Sequence, residues 1–163
     1  MAVVSIYGLV LGTIPQAFAE PEKEIQVVVE VDPLEEFRNA KSLDQAELKS
    51  LLKAVGFEGK ALRTAWAVAM KESNGRPKAH NDDLNTGDNS YGIFQINMLG
   101  SLGEDRREKF NLKTNKELFD PVTNAQIAYY MTGKGEDWSS WKVYPGQTNG
   151  ERFEQFYALF PEI

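Results

Sequence analysis

From residue 42 onward, apolar positions recur at steps of three and four, interrupted by Gly, Pro and Asn, which is the pattern of short packed helices. Leu43, Leu48, Leu51 and Leu52 make the first stripe, with Ser42 and Gln45 as a capping box and Gly56 as the closing residue. A second helix is predicted over about 58–73, where Leu62, Ala65, Ala69 and Glu72 stand at intervals of 3, 4 and 3 along one face. Asn74-Gly75 followed by Arg76-Pro77 should stop it. A short irregular β segment is expected over 91–97 and a charged helix over 101–110. Asp120-Pro121 then opens a helix carrying Ile127, Tyr130 and Met131. Trp138, Trp141 and Tyr144 follow at steps of three, and a last helix over 149–160 carries Phe153, Phe156, Tyr157 and Phe160. The pattern predicts a mainly α (α+β) domain over residues 42–163.

Upstream the pattern changes. Residues 2–19 carry no charge and end in Ala17-Phe18-Ala19, which fits the apolar core and cleavage site of a secretory signal. No Lys or Arg precedes that stretch, and Gly8, Gly12 and Pro15 make it a poor membrane-spanning helix. Membrane contact by residues 2–19 and burial as an arm in an assembly are both open. Residues 20–41 form a connector, with Ile25, Val27, Val29 and Val31 alternating as in a short strand or extended arm. An exposed strand of that kind is an edge available to a partner. The expected division is therefore 1–19, 20–41 and 42–163.

Composition removes several chemistries. With 163 residues, 42% hydrophobic and 26% charged, the chain has room for one core and an extension. There is no cysteine, so thiol catalysis, disulfides and cysteine metal sites are excluded. The lone histidine, His80, rules out a multi-histidine metal centre, and its polar loop gives it a loop-bracing role by default. No metal or cofactor is expected. A net charge of −6 with scattered Lys and Arg argues against nucleic acid as a partner. Arg106, Arg107 and Lys109 alternate with Glu104, Asp105 and Glu108, which is how a solvated helix face is written.

One carboxylate is placed unusually. Glu72 prolongs the apolar stripe of the second helix, yet it lies in the last turn, where the negative end of the helix dipole opposes a carboxylate. An apolar wall and an adverse dipole both favour the protonated form, which is what a general acid near neutral pH requires. A solvated Glu at a helix end is the plainer alternative. Roughly twenty residues downstream comes the compact run Ser90-Tyr91-Gly92-Ile93-Phe94-Gln95-Ile96.

Glu72-Ser73, this run, Asn124-Ala125-Gln126-Ile127-Ala128-Tyr129-Tyr130 and Trp138 to Tyr144 resemble, in that order, the soluble lytic transglycosylase and goose-type lysozyme superfamily. The resemblance covers about residues 43–160, and its second element is the most specific. The wording around 88–100 and 118–125 is similar to the wall-degrading domains of bacteriophage virions and endolysins. The resemblance implies a lysozyme-like fold and cleavage of the β-1,4 bond between N-acetylmuramic acid and N-acetylglucosamine in peptidoglycan glycan strands. It implies action in a virion or the bacterial cell envelope, with other virion proteins as partners for residues 1–41.

Residue by residue, the family's catalytic acid maps onto Glu72 and its following serine onto Ser73. Its groove glutamine maps onto Gln95, and its last-motif tyrosine onto Tyr144, although the usual Tyr-Asn pair reads Tyr144-Pro145 here. Ser90, Tyr91, Asn97 and Tyr129 complete the expected substrate-binding set, with Tyr91 and Tyr144 facing the groove. Most of the remaining aromatics at helical spacing should be core. Gln95 has a second use open to it, the satisfaction of buried backbone groups.

Glycoside hydrolysis ordinarily takes two carboxylates. Asp82, Asp83 and Asp88 are candidates for the second, Asp88 foremost, all in a loop where turn formation is the common use of Asp. Goose-type enzymes carry an Asp two residues beyond the glutamine, and this chain has Asn97, which cannot ionise. The pattern favours a one-carboxylate transglycosylase, with hydrolysis through Asp88 as the alternative. A structural tail or core component retaining the fold is the reading from another class.

Overall fold

The computed structural model describes residues 32–162 apart from Leu84 and Thr86. The apolar segment 2–19 and the expected strand at 25–31 lie outside the described residues. From Pro33 the chain forms one compact unit. Part of the expected connector packs with it: the short 3-10 turn Glu35–Phe37 puts Phe37 into the core.

Helix α1 (Gln45–Val55) buries Leu48, Leu51 and Leu52. Its capping box is Asp44 with Glu47 rather than Ser42 with Gln45. The Asp44 side chain accepts from the Ala46 and Glu47 amides, and Glu47 Oε2 accepts from the Asp44 amide at 2.7 Å. An aspartate here satisfies two orphan amides at once and puts negative charge at the positive helix end. Gly56 closes the helix in the left-handed conformation, as its sequence position implies.

Helix α2 (Gly59–Ser73) is the axis of the domain. Trp66, Ala67, Val68 and Ala69 are fully buried in succession, so its middle is enclosed on every side and no single stripe describes it. Small residues at 65, 67 and 69 let neighbouring elements approach. Trp66 fills the larger space and donates its indole N–H to the Gln45 carbonyl at 3.1 Å. Asn74 ends α2 at φ 57°, its amide reaching Ala69 and Met70 carbonyls. That sharp stop delivers Glu72 to the edge of the core.

A three-stranded antiparallel sheet of two-residue strands follows: β1 (His80–Asn81), β2 (Ser90–Tyr91) and β3 (Ile96–Asn97), in that order. Ser90 pairs with Asn97 and Tyr91 with Ile96. The β2–β3 turn drives Ile93 and Phe94 fully into the core. Helix α3 (Gly100–Phe110) has Gly103 as its one buried residue. Helix α4 (Pro121–Met131) starts at the Asp120 cap with Pro121 in its first turn. It buries Ile127 but leaves Tyr130 61% exposed, so the expected stripe there is incomplete. Trp138 and Trp141 are buried around the 3-10 turn Ser139–Trp141. Helix α5 (Glu151–Ala158) lies against α2 and buries Phe153. The architecture is mainly α with one small β region.

The turn between β2 and β3 is held by Asn124 of α4, a fully buried polar side chain. Its Oδ1 accepts from the Phe94 amide at 2.9 Å, and its Nδ2 donates to the carbonyls of Tyr91 at 2.9 Å and Leu118 at 3.0 Å. Gly92 is required beside it. Its φ is +75°, and a Cβ would lie 2.3 Å from both Asn124 Nδ2 and the Leu118 carbonyl oxygen. Replacing Asn124 with Ala leaves buried backbone groups unpaired, so Asn124→Ala should lower unfolding free energy by about 3 kcal/mol or more in urea titration. A loss under about 1 kcal/mol would show that the clamp is dispensable.

Candidate functional site

Where the end of α2 faces the small sheet, the fold leaves a cavity of about 510 Å³, well within the size range of ligand sites. Lys71 and Glu72 come from α2, and Asn81, Gly87, Asp88 and Ser90 from the β1–β2 region. Gln95, Ile96 and Asn97 come from the hairpin, Arg106 from α3, and Met131, Ser140, Trp141 and Lys142 from the far side.

Glu72 is partly buried, its side chain 24% exposed, with Oε1 3.0 Å from Lys71 Nζ. Lys71 also donates to the Trp141 carbonyl at 3.4 Å, which ties the ammonium to the opposite wall. The expected apolar wall is not what surrounds this carboxylate. Its walls are largely amide, hydroxyl and charged groups, because the apolar part of α2 ends before residue 71.

The Ser73 hydroxyl does not reach the cavity. It is buried and donates to the Ile93 carbonyl at 2.8 Å and the Ala69 carbonyl at 3.1 Å. It fastens the end of α2 to the hairpin turn, and its neighbour Glu72 to Gln95 with it. Gln95 combines both uses open to it. Its Nε2 donates to the Ala79 and Gly92 carbonyls at 3.2 and 2.9 Å, and the residue lines the cavity. It adopts φ 48°, a left-handed conformation rare outside glycine that turns it out of the strand direction.

Asn97 is held on both sides, donating from Nδ2 to the Gly87 carbonyl and accepting at Oδ1 from the Leu99 amide. Asp88 lines the same cavity as Glu72 and accepts from the Ser90 hydroxyl at 2.7 Å. Ser90 is buried, so its hydroxyl serves Asp88.

The three tyrosines of the expected substrate-binding set do not line this cavity. Tyr91 is buried between His80 and Phe119, with ring centroids 4.3 and 5.3 Å away. Strand alternation sends it to the opposite face of the sheet from Ser90. Tyr129 packs edge-on against Phe57 at 4.9 Å, with its hydroxyl end over Gly56. Tyr144 is 42% exposed and lines a different cavity with Trp138, Phe153 and Tyr157. The aromatic that does reach the candidate site is Trp141, whose indole N–H donates to the Phe94 carbonyl at 2.7 Å. His80 braces its loop, its Nε2 3.0 Å from Asn89 Oδ1.

Three cations that no sequence pattern marks also line the cavity. Lys71 and Lys142 carry no periodic signal. Arg106, on a helix face whose charges predict solvation, is partly buried, lines the cavity and donates to the Asn97 carbonyl. Desolvation pulls its guanidinium below the ordinary arginine value. The hidden signal is Gly103, three residues earlier: a Cβ there would sit 2.1 Å from the Met98 carbonyl oxygen. Gly103, Arg106 and Phe110 are thus the inward positions of α3, and a glycine conceals the stripe from any hydrophobicity pattern.

A family model described as a lysozyme-like domain matches residues 49–143, which include the whole of α2, the hairpin and the Asn124 clamp. The chain belongs to that family. Membership supports, at family level, a peptidoglycan-degrading glycosidase acting outside the cytoplasm. Neither the curated proteins nor the solved structures gave a match.

Two substitutions separate scaffold from cavity. Tyr91→Phe should digest cell-wall suspensions within about twofold of the parent rate, since its ring and not its hydroxyl fills the space. Ser73→Ala should cost about 1–2 kcal/mol in urea unfolding by releasing the Ile93 carbonyl. A tenfold rate loss for Tyr91→Phe would return that tyrosine to the substrate groove.

Proposed function

We propose that this domain is a lytic transglycosylase that cleaves the MurNAc-β-1,4-GlcNAc bond with Glu72 as its one acid-base residue. The observation that carries the proposal is that Glu72 and Gln95, far apart in sequence, face a single cavity of sugar-binding size. The polar lining suits a saccharide, whose hydroxyl and acetamido groups need hydrogen-bond partners when they leave water.

In the reaction, the Glu72 carboxyl gives its proton to the glycosidic oxygen while the bond from that oxygen to muramic C1 breaks. Positive charge develops on C1 and the ring oxygen. The 6-hydroxyl of the same muramic residue then attacks C1, and the Glu72 carboxylate takes the hydroxyl proton. The new O6–C1 bond closes a 1,6-anhydro sugar, the acid is regenerated, and no water is consumed. One group can serve both steps because it is left as a base by the first. Asn97, fixed by two hydrogen bonds, supplies no charge at the position where goose-type enzymes carry a carboxylate. Gln95, anchored through its Nε2, keeps its carbonyl oxygen for a substrate N–H or O–H donor.

A second reading rests on Asp88, which lines the same cavity. As a base for water it would yield an ordinary reducing end, in the two-carboxylate scheme. The likeness to bacteriophage wall-degrading domains supports a virion-borne or lysis role, with residues 1–41 as the assembly or membrane arm.

Glu72→Gln should slow the clearing of wall suspensions by about 10²–10⁴-fold, the usual worth of general acid catalysis, with unfolding unchanged. Clearing at the parent rate would overturn the assignment of Glu72. Mass spectrometry of the released muropeptides decides the route: anhydro ends support transglycosylation, and reducing ends that vanish in Asp88→Asn support the Asp88 route.

A further inference from the structure

The candidate cavity contains more positive than negative side chains, in a chain whose net charge is −6. Lys71, Arg106 and Lys142 line it together with Glu72 and Asp88. Lys71 is committed to Glu72 at 3.0 Å. Asp88 is occupied by the Ser90 hydroxyl. Among the described residues, Arg106 and Lys142 make no ion pair with any carboxylate.

Arg106, which lines the cavity, is oriented by its bond to the Asn97 carbonyl, which uses one of the five guanidinium N–H donors. Lys142 follows the 3-10 turn with φ 57°, its amide bonded to the Ser139 carbonyl at 2.8 Å, so its backbone is set at the cavity rim. A partly desolvated guanidinium without a counter-charge is costly, and an anion brought by the ligand relieves that cost.

We propose that Arg106, assisted by Lys142, binds a carboxylate carried by the glycan strand and so makes the domain select charged strands over neutralised ones. The proposal rests on the glycan-cleaving reading of this cavity and names the substrate feature recognised there. Peptidoglycan offers that chemistry from two sources. One is the carboxylates of the peptide stem. The other is the lactyl carboxylate of muramic acid where the stem has been removed. A planar, bidentate guanidinium suits either, and the ammonium at the rim adds an unpaired charge that salt would screen.

The test uses the full chain carrying Glu72→Gln, so that strands are bound without being consumed. Dissociation constants are measured by calorimetry for three soluble strand preparations. They are strands with free stem carboxylates, the same strands after carbodiimide amidation, and stem-free strands with free lactyl carboxylates. At least one free-carboxylate form should bind about tenfold tighter than the amidated form, and which one does identifies the source. Adding Arg106→Gln should bring the ratio close to one, Arg106→Lys should restore part of it, and Lys142→Gln should reduce it.

Equal binding of all three preparations, or a ratio untouched by Arg106→Gln, overturns the proposal. If Arg106→Gln does not fold, the exposed Lys142→Gln variant decides, and an unchanged ratio there overturns it equally. Turnover is read separately on the chain with Glu72 intact. Failure to clear walls defeats the enzymatic reading while the binding ratio still judges the carboxylate site.

Discussion

The site depends on one buried amide. Asn124 is excluded from water and uses both ends of its side chain to hold the β2–β3 turn against α4 and the 118 carbonyl. An apolar residue could fill that space but could not satisfy the Tyr91, Phe94 and Leu118 backbone groups that the turn buries. Because the turn is pinned, Ile93 and Phe94 enter the core and Gln95 is thrown out to the cavity wall. Ser73 extends the same hydrogen-bond logic to the end of α2. Gln95 and Glu72 are therefore positioned by polar groups that never meet a ligand, and the cavity inherits its geometry from that concealed network.

The second constraint is the abrupt end of α2. A helix enclosed through its middle must meet water somewhere, and the left-handed Asn74 sets where. Glu72 emerges two residues before that point, near enough to the core to be partly shielded and far enough to pair with Lys71. The pairing gives the carboxylate a defined orientation in a polar cleft. Shape and hydrogen bonding, more than apolar surroundings, are what this site offers a saccharide. Among the described residues Arg106 makes no ion pair with a carboxylate, and under the proposal above it would extend that principle from sugar hydroxyls to charge.

Much of the fold was legible because its signals are local. Gly56, Asn74 and Pro121 each act on the backbone within a residue or two, so the helix ends they mark follow from conformational preference alone. Glu72, Gln95 and Asp88 were legible as candidates, and the structure brings the three to one cavity. The tyrosines were not. Tyr91 and Tyr129 have the amphipathic chemistry of sugar-stacking residues, but the same rings fill a core equally well, and only the neighbours His80, Phe119 and Phe57 decide which use prevails. Ser73 is a related case: a hydroxyl beside a candidate acid looks like a ligand contact until its partners, the Ala69 and Ile93 carbonyls, are known.

By itself, then, the order of residues determined the helical class and most helix ends and singled out Glu72 as the candidate acid, since these arise from contacts a few positions apart. Which side chains share the cavity was decided by tertiary packing. Arg106 reaches it only because Gly103 lets α3 close on the Met98 backbone, and Lys142 only because a 3-10 turn ends beside Trp141. Those contacts bring Arg106 and Lys142 to a cavity shared with Glu72, dozens of residues away in the chain, a meeting that helix periodicity does not encode.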